Sequence, residues 1–255
     1  MLEGYLRKLY VRYLRPYVNK EINRQRIKLL WFARGYWPLL FLRNVYLLEC
    51  VKLISRFLVV DWNVISAHKP IEISYVCREL FMCRAKTGGV FLEAGCWYGS
   101  SSSKFSIVCK MLGYSLLIYD SFQGVEPVEN KSEIKGGHDF SGEYACHQGI
   151  VEENIRKYGE ISVCTFFSGW FSETLKEVHH PIKIAYIDCD SAKGTNEVLA
   201  GVVPAMVRGG CIFSQDFHIK SVRELLLDPS TWKRFGSEMP CINEEGRKLV
   251  SIRFL

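Results

Sequence analysis

The chain has 255 residues, of which 48% are hydrophobic and 24% charged, and it carries 33 basic and 27 acidic side chains. This is the composition of a folded globular protein, and it excludes a disordered chain, a collagen-like repeat and a small disulfide scaffold. The basic excess is confined to the first third, because residues 1–90 carry 16 basic and 6 acidic side chains whereas residues 91–255 carry 17 and 21.

The basic N-terminal segment is rich in aromatic residues between positions 5 and 37. Arginines interrupt its apolar runs, so it lacks the profile of a signal peptide. One interpretation is a helical arm that packs its rings on the rest of the chain or on a second copy. Packing on a second copy predicts a homo-oligomer. A peripheral contact with an anionic membrane surface is another. Nucleic acid is disfavoured, because no nucleic-acid motif accompanies the segment.

Residues 39–60 are apolar enough to raise the question of a membrane span. Four charged side chains divide this stretch, namely Arg43, Glu49, Lys52 and Arg56. No uninterrupted run approaches the ~20 residues that a bilayer-spanning helix needs. We predict that residues 1–69 form a basic, aromatic helical extension and not a membrane anchor.

The cysteines are dispersed along the chain, and none forms the CxxC pair typical of zinc or redox sites. Several lie inside apolar runs, where cysteine behaves as a small hydrophobic residue. We therefore predict reduced thiols in the core and a cytoplasmic location.

From residue 70 onward the chain alternates predicted helices and strands. Apolar positions at helical spacing predict helices over residues 71–84, 100–111, 151–158, 172–178, 196–207 and 222–227. Short apolar runs predict strands over residues 90–95, 115–120, 161–167, 183–188, 211–214 and 248–254. This alternation is typical of an α/β domain with a doubly wound, mostly parallel sheet, which we assign to residues 70–255.

Residues 123–148 are polar and include the glycines at 136, 137 and 142. A connection this long inside a compact domain is usually functional, so we predict a lid over the site. His138 and His147 in this loop are candidate substrate contacts, although a lone loop histidine is more often simply solvated.

Ligands bind doubly wound sheets at the carboxyl ends of the strands, so polar residues there are candidate site residues. The first strand is followed by a turn with glycines at 95 and 99 and then by a helix N-terminus, which together allow close backbone approach to an anionic group. The spacing does not match the GxGxxG fingerprint. Asp120 ends the second strand, where a carboxylate suits the two hydroxyls of a ribose. These features predict a nucleoside-containing cofactor.

Three more carboxylates follow neighbouring strands, with Asp188 and Asp190 after the fourth and Asp216 after the fifth. Clustered carboxylates repel one another unless a cation or a shared proton compensates them. An aspartate that only caps the next helix would explain one of the three. Oxygen ligands of this kind suit Mg²⁺, so we predict a magnesium site at this edge of the sheet.

Six segments in one chain resemble the macrocin O-methyltransferase family, S-adenosylmethionine enzymes that methylate sugar hydroxyls in natural-product pathways. They occur in the family's order across residues 70–217, as FLEAGCWYG (91–99), DSFQG (120–124), NIRKYG (154–159), SGWF (168–171), IDCD (187–190) and GGCIFSQD (209–216). The resemblance implies a Rossmann-like transferase with a seven-stranded sheet. It also implies a glycan or small-molecule acceptor in natural-product or polysaccharide biosynthesis.

The resemblance further implies roles for single residues. The residues implied to bind S-adenosylmethionine are Glu93, Gly95, Tyr98, Ser100, Asp120, Ser121, Gly169 and Trp170. A core aromatic at a strand end is the alternative interpretation of Trp170. Asp188, Gln215 and Asp216 are implied to hold the divalent metal, and Asp190 to act as the general base.

Two departures from the family pattern bear on the function. Gln215 stands where the family has an aspartate, which removes a negative charge but keeps an amide oxygen. Lys193 adds a cation beside the predicted site. The main hypothesis is therefore a metal-dependent sugar O-methyltransferase. The alternatives are a methyltransferase for a non-sugar hydroxyl, and a catalytically degenerate fold that binds a partner or a membrane surface.

Overall fold

The structure, a computed structural model, describes residues 35–82, 89–127, 139–176 and 178–254. The predicted arm as far as residue 34, the central part of the predicted lid and His138 lie outside these residues. Their predicted contacts with substrate, with a second copy or with anionic lipid therefore stay predictions. Within the described ranges, no helix is long and apolar enough to cross a membrane.

In the described part of the chain, seven strands form one sheet, namely β1 (Val90–Ala94), β2 (Leu116–Asp120), β3 (Cys164–Ser168), β4 (Ile182–Ile187), β5 (Met206–Ser214), β6 (Cys241–Glu244) and β7 (Val250–Arg253). Their order in space is β3-β2-β1-β4-β5-β7-β6. The strands β1 to β5 are parallel, and β7 runs antiparallel to both β5 and β6. The predicted doubly wound, mostly parallel sheet is confirmed. Because the connections reverse direction between β1 and β4, a crevice opens at the carboxyl ends of these two strands.

Helices cover both faces of the sheet. They are α1 (Leu47–Asn63), α2 (Pro70–Met82), α3 (Ser100–Leu112), α4 (Gln148–Tyr158), α5 (Phe171–Thr174), α6 (Ala192–Val202), α7 (Lys220–Leu227) and α8 (Pro229–Arg234). Side chains of α1 to α4 share one core with Phe91, and those of α6 to α8 share the other core with Leu92. The two neighbours point to opposite faces because side chains alternate along a strand.

Helix α1 contains much of the apolar stretch that raised the question of a membrane span. Its buried side chains, Cys50, Leu53, Phe57 and Val60, recur at helical spacing and join the first core. A buried ion pair between Asp61 and Lys104 of α3 fastens the end of α1, and the hydroxyl of Tyr36 donates to the same aspartate at 2.6 Å. The predicted boundary after residue 69 stays a prediction.

Several predicted boundaries were wrong. The strand predicted over residues 211–214 begins at Met206. The helix predicted over residues 196–207 ends at Val202, because Pro204 lacks the amide hydrogen that would continue it, and Met206 already belongs to β5. The helix predicted over residues 172–178 is the single turn α5. The strand predicted from residue 161 begins at Cys164, after a 3-10 turn. In addition, the sequence did not predict β6.

Candidate functional site

A cavity opens at the carboxyl ends of β1, β2, β4 and β5, where the strand order reverses. Its wall contains nine of the predicted site residues, namely Gly95, Asp120, Ser121, Gly169, Trp170, Asp188, Asp190, Gln215 and Asp216. The fold therefore brings together residues that lie more than 100 positions apart in the chain. The predicted cofactor residues among them lie at the ends of β1, β2 and β3 and line one half of the cavity. The other half is lined by the three carboxylates that follow β4 and β5, namely Asp188, Asp190 and Asp216.

Asp120 braces the turn that follows β1. One carboxylate oxygen, Oδ2, accepts from the backbone N–H of Cys96 at 2.7 Å, and Oδ1 accepts from that of Phe122 at 2.7 Å. The hydroxyl of Ser121 donates to the carbonyl of Gly124 at 2.9 Å. A carboxylate oxygen accepts more than one hydrogen bond, so the fixed Asp120 retains acceptor capacity for a ligand hydroxyl.

Gly95 brings the two halves of the cavity into contact. Its φ of +87° lies in the left-handed region, and a Cβ here would lie only 1.9 Å from the carbonyl oxygen of Asp188. The backbone N–H of Asp188 donates to the carbonyl of Ala94 at 2.9 Å. Only glycine permits this approach, which holds the end of β4 against the turn after β1.

Trp170 lies half-buried on the cavity wall. It follows Gly169, whose backbone N–H donates to the carbonyl of Asp120 at 3.1 Å. A ring that borders an open cavity favours contact with a ligand over the core alternative. The adenine role of Trp170 stays a prediction.

Glu93, Tyr98 and Ser100 are not among the residues that form the cavity wall. The Oγ of Ser100 accepts from the ammonium of Lys104 at 3.1 Å, and the ring of Tyr98 packs edge-on against Trp97. Glu93 is fully buried within the sheet. Their roles in cofactor binding stay predictions, and for Ser100 the structure offers a packing role.

Burial raises the pKa of Glu93 from 4.5 to about 8, and the hydroxyls of Ser101 and Ser102 oppose the shift. The unfolded chain loses this proton near pH 4.5, so stability falls as the pH rises between the two values. Glu93→Gln removes this titration, so we expect the free energy of unfolding of the variant, relative to wild type, to rise by about 3 kcal/mol as the pH increases from 5 to 8. Chemical denaturation at the two pH values measures the change. The exposed variant Glu153→Gln is the control, and an equal pH slope in all three proteins would contradict the argument.

The three predicted carboxylates converge. Asp188, Asp190 and Asp216 each place an oxygen within 4.8 Å of the others. The Oδ2 of Asp216 accepts from the backbone N–H of Cys189 at 2.8 Å and of Asp190 at 2.9 Å. Asp190 adopts a left-handed φ of 51°, a conformation that Asp tolerates better than most residues. The Asp216 carboxylate therefore fixes the backbone of the turn after β4.

This convergence shifts the titration of the cluster. Burial, followed by the negative charge of Asp188, raises the pKa of Asp190 to about 7, and the ammonium of Lys248 opposes the shift. Burial and the two neighbouring carboxylates raise the pKa of Asp216 well above its ordinary value. Among the described residues, the Oδ1 of Asp216 and the Oε1 of Gln215 are buried with no hydrogen-bond partner. Buried, unpartnered oxygens beside clustered carboxylates fit a hard divalent cation.

Sequence reasoning missed several cavity residues that bear charge or titrate, among them His68 and Lys248. The Nε2 of His68 lies 2.7 Å from the Oδ2 of Asp188, and Lys248 approaches the cluster from the segment before β7. Neither belongs to a recognisable motif. A lysine after Gly246-Arg247 and a lone histidine before a helix carry no local signal for a site.

The cation predicted at Lys193 is compensated. Its ammonium lies 2.7 Å from the carboxylate of Glu126, which belongs to the described start of the predicted lid. His147, at the far end of the same loop, is the N-cap of α4, and its Nδ1 accepts from the backbone N–H of Gly149 at 3.2 Å. His147 thus has a helix-capping role and is not on the cavity wall.

Comparison with known proteins gives one family and one sequence relative. The sequence profile of the TylF macrocin O-methyltransferase family matches residues 79–246. A Streptomyces olivaceus protein, 8-demethyl-8-(2,3-dimethoxy-alpha-L-rhamnosyl)-tetracenomycin-C 4'-O-methyltransferase, is 26% identical over 187 residues, which cover 68% of this chain and 71% of that protein. The residues that the family profile matches include the turn after β1 and the carboxylate cluster.

Two solved structures share the fold. The O-methyltransferase NovP is 16% identical with a TM-score of 0.59, covering 91% of this chain and 98% of its own. CalS11, a calicheamicin methyltransferase, is 16% identical with a TM-score of 0.60, covering 87% of this chain and 91% of its own. At this identity the likeness establishes the architecture, including helices upstream of the first strand.

Proposed function

The chain belongs to the macrocin O-methyltransferase family, and from this premise we propose that it transfers the methyl group of S-adenosylmethionine to a sugar hydroxyl with the help of a divalent cation. The observation that carries the proposal is the convergence of Asp188, Asp190 and Asp216 beside the Gly95 turn. We assign the methyltransferase domain to residues 70–255. S-adenosylmethionine supplies an electrophilic methyl group on a sulfonium, so the protein must mainly align the acceptor oxygen and remove its proton.

Three side chains support a cofactor subsite on the half of the cavity beside β1 and β2. Asp120 lies on the cavity wall with both oxygens held by backbone N–H groups, and its remaining acceptor capacity would serve the ribose hydroxyls. Ser121 follows it, and Trp170 offers a flat apolar face for the adenine. The close approach at Gly95 would place the sulfonium end of such a ligand next to the carboxylates.

Asp188, Gln215 and Asp216 would hold the cation. When bound, it would act as a Lewis acid that lowers the pKa of an acceptor hydroxyl. The unpartnered Oε1 of Gln215 and Oδ1 of Asp216 support this assignment, because each is a buried acceptor that lacks a donor among the described residues. The amide of Gln215 supplies an oxygen without adding a fourth negative charge.

Asp190 would accept the proton of the acceptor hydroxyl on its carboxylate. A pKa of about 7 suits this role, because a base poised near the working pH both ionises and accepts a proton readily. The backbone N–H of Asp190 donates to the Oδ2 of Asp216, and this hydrogen bond fixes the position of the Asp190 backbone. In this proposal Asp188 and Asp216 of the cluster would bind the cation, and Asp190 would accept the proton.

The relatives point to the class of acceptor. The S. olivaceus protein is named for the 4'-position of a rhamnosyl group, and a structure of CalS11 without cofactor describes it as a TDP-rhamnose 3'-O-methyltransferase. We therefore place 6-deoxyhexoses, free or attached to a carrier, first among the acceptors to test. The ion pair between Lys193 and Glu126 weighs against the degenerate alternative, because it removes the free cation that would have opposed metal binding.

An acceptor panel tests the proposal. Nucleotide-linked rhamnose, a rhamnosyl glycoside and a catechol are incubated with S-adenosylmethionine and Mg²⁺, with and without a chelator. We expect methylation of a sugar that stops when the chelator is added. Methylation of the catechol alone would establish the non-sugar alternative, and no turnover by a folded protein that binds cofactor would establish the degenerate one.

Asp120→Ala tests the cofactor subsite. We expect the variant to bind S-adenosylhomocysteine about 100-fold more weakly, because it loses charge-assisted hydrogen bonds to the ribose and the brace of the Cys96 turn. Isothermal titration calorimetry measures the affinity, and circular dichroism checks the fold. Glu153→Ala, which removes an exposed carboxylate of α4 away from the cavity wall, is the control. Undiminished binding by Asp120→Ala would remove Asp120 from the subsite.

A further inference from the structure

Two residues at the start of α2 each contact a different candidate cation ligand. His68 lies just before the helix and reaches Asp188 across 120 positions of the chain, and Glu72 reaches Gln215 across 143. Both precede the stretch that the family profile matches, which begins at residue 79. All four residues in these two contacts are buried or half-buried.

The contact between Glu72 and Gln215 fixes which end of the amide faces the cavity. The Nε2 of Gln215 donates to the Oε2 of Glu72 at 2.9 Å. A carboxylate only accepts, so the nitrogen must face Glu72 and the carbonyl oxygen must face away. That oxygen, Oε1, is buried and has no partner among the described residues. The reversed amide would direct an N–H group, which cannot bind a cation, at the carboxylates.

Glu72 is itself held in place. Its Oε2 also accepts from the backbone N–H of Lys69 at 2.9 Å, which satisfies a free donor of the first turn of α2. Only 2% of Glu72 is exposed. The fixed Glu72 carboxylate explains why position 215 has glutamine where the family has aspartate. An acidic side chain at position 215 would be repelled by Glu72, whereas the glutamine amide donates a hydrogen bond to it.

His68 acts on the neighbouring ligand in the same way. Its Nε2 donates to the Oδ2 of Asp188 at 2.7 Å, and its side chain is only 7% exposed. The ring lies edge-on against Tyr186, with centroids 5.9 Å apart. This contact engages Oδ2 of Asp188 and leaves Oδ1 outside this hydrogen bond. Such support of a ligand by a second group is common around metal ions.

We propose that His68 and Glu72 are positioning residues that orient Asp188 and Gln215 as ligands of the divalent cation. The inference rests on the proposed function and deepens it, since it assigns the orientation of the ligand set to the start of α2. It also predicts that residues 72 and 215 act as a pair, so that neither can change from acid to amide, or the reverse, without the other.

Mn²⁺ binding tests the role of His68. Free Mn²⁺ is measured by electron paramagnetic resonance, and S-adenosylhomocysteine affinity is measured in parallel. We expect His68→Phe, which keeps the ring contact but not the hydrogen bond, to weaken Mn²⁺ binding at least about 10-fold. His68→Gln, which retains a donor, should stay within about threefold of wild type. Equal affinities in wild type and His68→Phe, or an equal loss in both variants, would overturn the role.

A charge exchange tests the pair. Glu72→Gln and Gln215→Glu alone should each weaken Mn²⁺ binding about 10-fold, because the first releases the amide and the second sets two carboxylates face to face. The double variant restores one donor and one acceptor and should recover wild-type affinity. Failure of the double variant to recover, while it still binds S-adenosylhomocysteine, would overturn the coupling. The exposed Glu153→Gln is the control.

The outcomes separate this inference from the proposed function. Wild-type protein that binds S-adenosylhomocysteine but no Mn²⁺ would overturn the orienting roles and leave methyl transfer open to the acceptor panel. Wild-type protein that binds Mn²⁺ with the expected dependence on His68 and Glu72, yet methylates no sugar, would support the orienting roles and overturn the proposed acceptor.

Discussion

We expect Asp190→Asn to lower kcat by about 10²- to 10⁴-fold, the range usual for loss of a general base, with little change in the KM of the acceptor. Asparagine has the shape of aspartate and tolerates the left-handed φ of 51° at this position. The hydrogen bond from the residue's backbone N–H to Asp216 does not depend on the side chain. The variant should therefore fold normally and differ only in its capacity to accept a proton.

Binding measurements on the same variant separate two roles for Asp190. Its carboxylate lies in one cluster with Asp188 and Asp216, so it is close enough to contact the same cation. If Asp190 is the base, Mn²⁺ and S-adenosylhomocysteine bind as in wild type while kcat collapses. A parallel loss of Mn²⁺ affinity would identify Asp190 as a ligand instead. Full activity would eliminate both roles. Asp228→Asn is the control, because asparagine caps α8 as well as aspartate does.

The parallel sheet could be predicted because its central strands β1, β2 and β4 are buried on both faces and therefore appear as largely apolar runs. The run over β4, Ile182–Ile187, is wholly buried, and the aspartate that follows it, Asp188, lies on the cavity wall. The edge strand β6 has no such pattern. Its residues Cys241, Asn243 and Glu244 are exposed, and among the described strands it pairs only with β7. An exposed edge strand of four residues depends on its partner more than on its own sequence.

The candidate site divides in the same way. Asp120, Asp188 and Asp216 could be predicted because each lies within two residues of the carboxyl end of a strand, and these ends converge whatever the intervening sequence. His68 and Glu72 could not, because their contacts depend on how α2 packs against the ends of β4 and β5. No local pattern encodes a contact across 120 or 143 positions. Gln215 appeared as a weakened ligand in the sequence, and the structure gives it a partner.

We expect Gly95→Ala to destabilise the fold by at least about 3 kcal/mol and to abolish S-adenosylhomocysteine binding. A left-handed φ costs an L-residue about 1–2 kcal/mol on its own. The added Cβ would also lie 1.9 Å from the carbonyl oxygen of Asp188, a backbone atom that moves only if the ends of β1 and β4 separate. That separation breaks the hydrogen bond from Asp188 N–H to the Ala94 carbonyl and moves the carboxylates away from the cofactor half. Urea denaturation and calorimetry measure the two effects.

Gly113→Ala separates strain from crowding. Gly113 ends α3 with a similar φ of +74°, but a Cβ there would meet nothing within 4 Å. We expect this variant to lose only about 1 kcal/mol and to bind S-adenosylhomocysteine as wild type does. The difference between the two glycines measures the energy of the close approach at Gly95. Equal losses would mean that backbone conformation alone requires glycine at both places, and that the contact between β1 and β4 does not couple the cofactor half of the cavity to the carboxylates.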